Sequence, residues 1–228
     1  MKKKSHFYLP VYSPDWTRRI ALESIIGGSY NNVSPEAEIC DDIDSFVDSI
    51  CKSGITPEMI IIDLPPRSNF GVIFSLRKSF PETVMMFVQN FFLHSDRMVA
   101  EYMGGILLKE YNTLIACYPH FILTEFISSG DLYFPQPPTR VLGKETSIKQ
   151  VLNELDLWIW QRLPNMIPSA RGREMVMSWM LNGEPAAKIA IMTGRSRKLI
   201  YHYRWMTMHA LNIKNYSRDF TSSLTVKA

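Results

Sequence analysis

Asn182-Gly183-Glu184-Pro185-Ala186-Ala187-Lys188-Ile189-Ala190-Ile191-Met192-Thr193-Gly194-Arg195-Ser196-Arg197-Lys198-Leu199-Ile200-Tyr201-His202-Tyr203-Arg204-Trp205 carries, in order, a helix stop, a helix start, a tight turn and a second start. Asn182-Gly183 ends a helix predicted over about Arg171–Leu181. Pro185 opens a second helix, about Pro185–Met192, at a position where its missing N–H leaves no bond unmade. Gly194 supplies the turn, and Ser196 caps a third helix running to about Asn212. On that third helix Ile200, Tyr203, Thr207, Ala210 and Leu211 recur at three- and four-residue spacing and are expected to pack on the other two. Arg197, Lys198, Tyr201, His202 and Trp205 fall on a different face, which is basic and aromatic.

Charge is divided unevenly along the chain. Between Ser169 and Asn215 stand eight basic residues, Arg171, Arg173, Lys188, Arg195, Arg197, Lys198, Arg204 and Lys214, against the acids Glu174 and Glu184. The remainder holds 17 bases and 20 acids, so only the C-terminal end favours a polyanion. Long cations suit phosphates, and planar or hydrogen-bonding side chains suit base edges in a major groove. On charge and helix faces alone, a reader of double-stranded DNA and an ordinary solvated basic face both fit.

Upstream, short buried runs alternate with amphipathic stretches. Strands are predicted over His6–Tyr12, Met59–Asp63, Thr83–Val88 and Gly105–Leu108. Helices are predicted over Thr17–Ile26, Ile43–Lys52, Val72–Ser79, His94–Tyr102 and about Thr113–Ser128. That alternation is the pattern of a doubly wound parallel sheet with helices on both faces. Ser129-Gly130-Asp131 and Pro135-Gln136-Pro137-Pro138 mark a linker, followed by a strongly striped helix over Ile148–Leu163. Pro164 and Pro168 are expected to separate that helix from the basic segment, with Trp160 at a partner surface.

The pattern Asn182-Gly183-x5-Ile189-Ala190-x3-Gly194-x-Ser196-x2-Leu199-Ile200-x10-Leu211-x-Ile213-x-Asn215 resembles the LuxR-type helix-turn-helix family. The resemblance implies that Tyr201, His202 and Trp205 occupy base-reading positions, with Arg195, Arg197, Lys198 and Arg204 at phosphates. Carried by it, residues 6–128 resemble the receiver domain of response regulators, especially Rcs-type regulators of enteric bacteria and their unphosphorylated auxiliary partners. Asp63 stands where that family's phosphoacceptor does, and Lys109 where its phosphoryl-pairing lysine does. Val11-Tyr12-Ser13-Pro14 replaces the acidic pair that holds Mg²⁺, and Val88 or Gln89 replaces the hydroxyl residue that senses phosphate. Asp63 and Lys109 are thus expected to be a vestigial phosphoacceptor site, with ordinary phosphorylation on Asp63 or another ligand in the crevice as alternatives.

The fold implied is α/β: a degenerate receiver-like (βα)5 domain (1–130), a linker and connecting helix (131–164), and an all-α LuxR-type domain (165–228). The function implied is a bacterial, phosphorylation-independent transcription regulator. It would act as a homodimer or as a heterodimer with an Rcs-type response regulator. The rival is an interaction adaptor that modulates a partner regulator with little DNA contact.

Several classes are disfavoured. Hydrophobic residues make up 46% and charged residues 21%, a globular balance. No apolar run reaches the roughly 18–20 residues of a membrane span. Met1-Lys2-Lys3-Lys4-Ser5 is not followed by an apolar core, so a cytoplasmic location is expected. Cys40, Cys51 and Cys117 lack metal or disulfide spacing and are expected as buried thiols. His6, His94, His120, His202 and His209 are scattered, so no enzyme, metal or cofactor is expected.

Overall fold

A computed structural model describes residues 8–27, 40, 42–116, 118, 142–143, 145–167, 169–182 and 184–228. Four strands form one sheet in the order β1 (Val11–Tyr12), β2 (Met59–Ile62), β3 (Val84–Gln89), β4 (Ile106–Glu110), every pair parallel. The fifth strand that a (βα)5 count requires is not among the described residues. β1 is shorter than expected because Pro10 has no N–H for the ladder, although its carbonyl still accepts from Ile61.

Strand pleating sends alternate residues to two cores. Ile60, Ile62, Met85, Phe87 and Ile106 face one core, shared with α2 (Ile43–Ser53), α3 (Phe70–Ser79) and α4 (His94–Met103). Met59, Ile61, Met86, Val88 and Leu107 face the other, closed by Leu22 and Ile25 of α1 (Trp16–Gly27) and Leu114 of α5 (Tyr111–Ala116). With both faces covered, the strands read as continuous apolar runs rather than alternating ones. Strand order advances in one direction from β2 to β4, so right-handed crossovers put α3 and α4 on the same face. The expected helix beyond Ala116 and the Ser129–Pro138 linker fall largely outside the described residues.

Helix α6 spans Ile148–Met166 and runs straight through Pro164. That corrects the expectation of a break there. Pro164 removes one backbone bond, but Val151, Leu155, Ile159 and Leu163 form a buried stripe that continues to Ile167 and outweighs the loss. The stripe packs on α4, where the Tyr102 hydroxyl donates to Glu154 (3.0 Å) and Arg162 pairs with Glu101 (2.6 Å). Trp160 is partly buried against this core. The thiols also differ from expectation: Cys51 is exposed and Cys40 half-buried, since each lies at a helix margin.

Three helices follow: α7 (Ala170–Asn182), α8 (Ala186–Thr193) and α9 (Arg197–Ala210). Val176, Ile189, Ala190, Ile200, Leu211 and Ile213 make their shared core. A short α10 (Tyr216–Asp219) leads into the C-terminal residues. Among the described residues no helix is long and apolar enough to cross a membrane.

Candidate nucleic-acid interface

The turn between α8 and α9 is built by backbone chemistry. Gly194 adopts a left-handed conformation (φ 62°), and the Arg195 N–H reaches back to the Ala190 carbonyl at 3.0 Å, closing the end of α8. Ser196 then starts α9, its hydroxyl accepting from the Leu199 N–H at 3.3 Å. At the far end Asn212 takes the left-handed region (φ 53°) and Ile213 N–H bonds the Met208 carbonyl, so the helix stops at Ala210. Both ends of α9 are thereby fixed relative to α8 and the core.

Ile200, Thr207 and Leu211 are buried, with Tyr203 and Ala210 partly so, which turns the opposite face outward. On it Tyr201 is 54% and Trp205 62% exposed, and Lys198 and His202 are exposed beside them. Arg195 and Arg197 are exposed at the helix entrance. Arg204 is half-buried on the flank of the helix, off that stripe. His209 was missed. It lies four residues after Trp205, so the helical period alone could have placed it.

His202, Trp205 and His209 form a ladder of rings. His202 and Trp205 stack with centroids 6.4 Å apart and planes 19° apart, and Trp205 and His209 lie 5.5 Å apart. The exposed indole thus lies between two imidazoles along one face of the helix. Two other basic residues have structural duties: Lys188 pairs with Glu184 on α8, and Arg173 donates to the Ile167 carbonyl at 2.7 Å.

The second sequence-derived site lies at the carboxyl edge of the sheet, where open α/β folds place their ligands. Asp63 directly follows β2 and is only 3% exposed. Its Oδ2 accepts from the Ser13 hydroxyl at 2.6 Å and lies 3.8 Å from the Arg18 guanidinium, while Oδ1 accepts from the Gln89 amide at 2.9 Å. Of Val88 and Gln89 it is Gln89 whose side chain reaches Asp63, because Val88 points into the core beneath α1 and α5. Lys109 lies within β4, opposite Val88, and is buried.

Arg18 also sits over the Tyr111 ring at 5.3 Å. Burial, and then the neighbouring Asp63, push the Tyr111 phenol far above its usual range, partly offset by Arg18. Its buried hydroxyl has no well-formed hydrogen bond. Ser13, Arg18 and Tyr111 were not singled out from the sequence. They reach Asp63 from the β1–α1 turn, α1 and the start of α5, which only the strand order brings together. Asp15 caps the first turn of α1, its Oδ1 accepting from the Arg18 N–H at 3.1 Å. Among the described residues no group of three His, Cys, Asp or Glu could hold a metal ion.

No protein-family model matches the chain, and no curated protein matches it. Among solved structures it is similar to two of the Salmonella typhimurium RcsB response regulator. Both show 15% identity and a TM-score of 0.41 over 96% of this chain, covering 96% and 98% of those chains. A third structure of that regulator shows 16% identity and a TM-score of 0.37, with 96% of this chain and 98% of that chain covered.

Proposed function

We propose that the chain is a DNA-binding transcription regulator of the response-regulator type, that it works without aspartyl phosphorylation, and that it acts as a homodimer or paired with a related regulator. The observation that carries the reading is the exposed stripe Lys198–Tyr201–His202–Trp205 on α9, set against a buried stripe through Ile200 and Thr207 on the same helix. Cations at Arg195, Arg197 and Lys198 supply phosphate contacts at the helix entrance, and the ring ladder supplies planar and hydrogen-bonding groups behind them. The reading includes no catalysis.

Affinity for duplex DNA is expected to fall steeply with salt, since each phosphate contact releases condensed counterions. Lys198→Ala should weaken binding about equally on all sequences. His202→Ala and Trp205→Ala should instead change preference between sequences, by roughly 1–3 kcal/mol at a contacted base pair. Titration of selected and scrambled duplexes at several salt concentrations checks this. Loss of affinity with unchanged preference in both classes would show that α9 is not the reader.

Independence from phosphorylation is supported by how Asp63 is already occupied. Both carboxylate oxygens accept from the protein's own donors, and the Arg18 guanidinium lies 3.8 Å from Oδ2, whereas phosphoryl transfer to a carboxylate needs its charge met by a divalent cation. Incubation with a small acyl phosphate and Mg²⁺ is expected to leave the intact mass unchanged. Asp63→Asn, which keeps a carbonyl acceptor, should leave promoter output nearly unaltered. A stable, Mg²⁺-dependent mass gain on Asp63 would overturn this part of the reading.

A further inference from the structure

The residues that follow α9 double back onto the sheet-bearing half of the chain. Phe220, Ser223 and Leu224 are buried there. Lys227 makes two backbone bonds, its N–H donating to the Arg67 carbonyl (2.7 Å) and its carbonyl accepting from the Phe70 N–H (3.2 Å). The buried Ser95 hydroxyl donates to the Ser222 carbonyl at 2.6 Å. Arg218, paired with Asp219, lies 5.4 Å over the Phe91 ring.

The receiving surface is itself stapled. Asp96, fully buried on the first turn of α4, accepts from the Leu93 N–H (2.9 Å), the Arg67 N–H (3.0 Å) and the Arg67 guanidinium (2.5 Å). One carboxylate therefore locks the loop after β2 to the loop after β3, and leaves the Arg67 carbonyl turned toward Lys227. The DNA-reading helices are tied to the neighbourhood of α4 from both sides: by α6 where the chain enters them and by residues 216–228 where it leaves. Meanwhile Tyr201 and Trp205 remain more than half exposed, so these contacts hold the reader without covering it.

We infer that residues 216–228 are a clamp that fixes the orientation of α9 to the sheet domain and so sets the half-site spacing that two paired chains accept. Lys227, Ser95 and the Asp96–Arg67 pair act as positioning residues. The inference rests on the DNA-binding reading above. A reader on a slack tether tolerates many spacings, because effective concentration changes slowly with span. A reader held rigidly tolerates one, about a DNA turn or a multiple of it.

The test uses the full chain and two variants. Lys227→Pro deletes the donor to Arg67, and Arg218→Ala removes the Phe91 contact from an exposed position should the proline disturb folding. Half-sites are selected from a random-sequence duplex pool and rebuilt as pairs at stepped spacings. The unaltered chain should prefer one spacing, losing on the order of tenfold or more elsewhere. The variants should bind a lone half-site equally well yet lose that preference. The proline keeps the carbonyl that accepts from Phe70, so a quickening of Phe70 amide exchange on the order of fivefold reports loosening of the whole segment rather than loss of its acceptor. Equal spacing profiles in all three chains, or an unchanged Phe70 amide in Lys227→Pro, overturns the clamp. Failure of every chain to bind any duplex overturns the DNA reading and the spacing role with it, and is told apart because the Phe70 exchange still reports whether the contact exists.

Discussion

Replacing Arg77 with methionine is expected to lower the unfolding free energy by about 3–5 kcal/mol, a large share of the roughly 5–15 kcal/mol that a domain possesses. Arg77 is 1% exposed at the end of α3, and both terminal guanidinium nitrogens are spent on backbone carbonyls, while its buried Nε has no partner. One terminal nitrogen donates to Pro81 (2.7 Å) and Thr83 (2.9 Å), the other to Gly104 (2.8 Å) and Gly105 (3.3 Å). It therefore joins the start of β3 to the turn before β4. Burial lowers its pKa to about 10, partly opposed by Glu82, so the group remains charged at neutral pH. Methionine fills the volume but takes the guanidinium from the Pro81, Thr83 and Gly104 carbonyls, while Gly105 keeps the Met85 N–H at 2.9 Å. Lysine is expected to recover only part of the loss, because a single ammonium cannot span both pairs. Urea denaturation checks both: the midpoint should drop with little change in slope. Gly105 guards the same place, since a Cβ there would lie 2.9 Å from the guanidinium and its φ is +60°.

Stability is expected to decline by about 3 kcal/mol as pH falls from 6.5 to 4, through His94 alone. His94 opens α4, is 4% exposed, and its Nε2 has no hydrogen-bond partner. Burial, with a smaller contribution from Arg97, lowers its pKa to about 4 from the ordinary 6.5. Between those values the unfolded chain takes up a proton that the folded chain refuses, so unfolding gains as pH falls. Above 6.5 both states are neutral and the effect vanishes. His94→Leu should flatten the curve in this window, and should itself be tolerated, because the orphaned nitrogen gives up no bond. Carboxylates titrate at the lower end in both chains, so the measurement is the difference between them across the window. Parallel curves would rule out His94 as the source.

The sites differ in how far their own sequence neighbourhood reveals them. The α9 stripe needs only the period of one helix and its two end signals, Ser196 and Gly194. The same period could have added His209. The Asp63 crevice is legible only at Asp63, whose place after an apolar run marks the carboxyl end of a strand. Its partners Ser13, Arg18, Gln89 and Tyr111 are ordinary residues in their own segments.

By itself the sequence determined the alternation of buried strands and helices, the cap and turn of the α8–α9 pair, and which face of α9 is basic and aromatic. These follow from local terms, the apolar period and the chemistry of Ser, Gly, Asn and Pro at helix ends. Only the tertiary structure decided that α6 continues through Pro164, that a charged Arg77 lies inside, that Asp63 is already occupied by protein donors, and that Lys227 returns to Arg67. Each of those depends on groups far apart in the chain. Their free energy comes from burial and from satisfying backbone carbonyls across elements, quantities that no window of sequence contains.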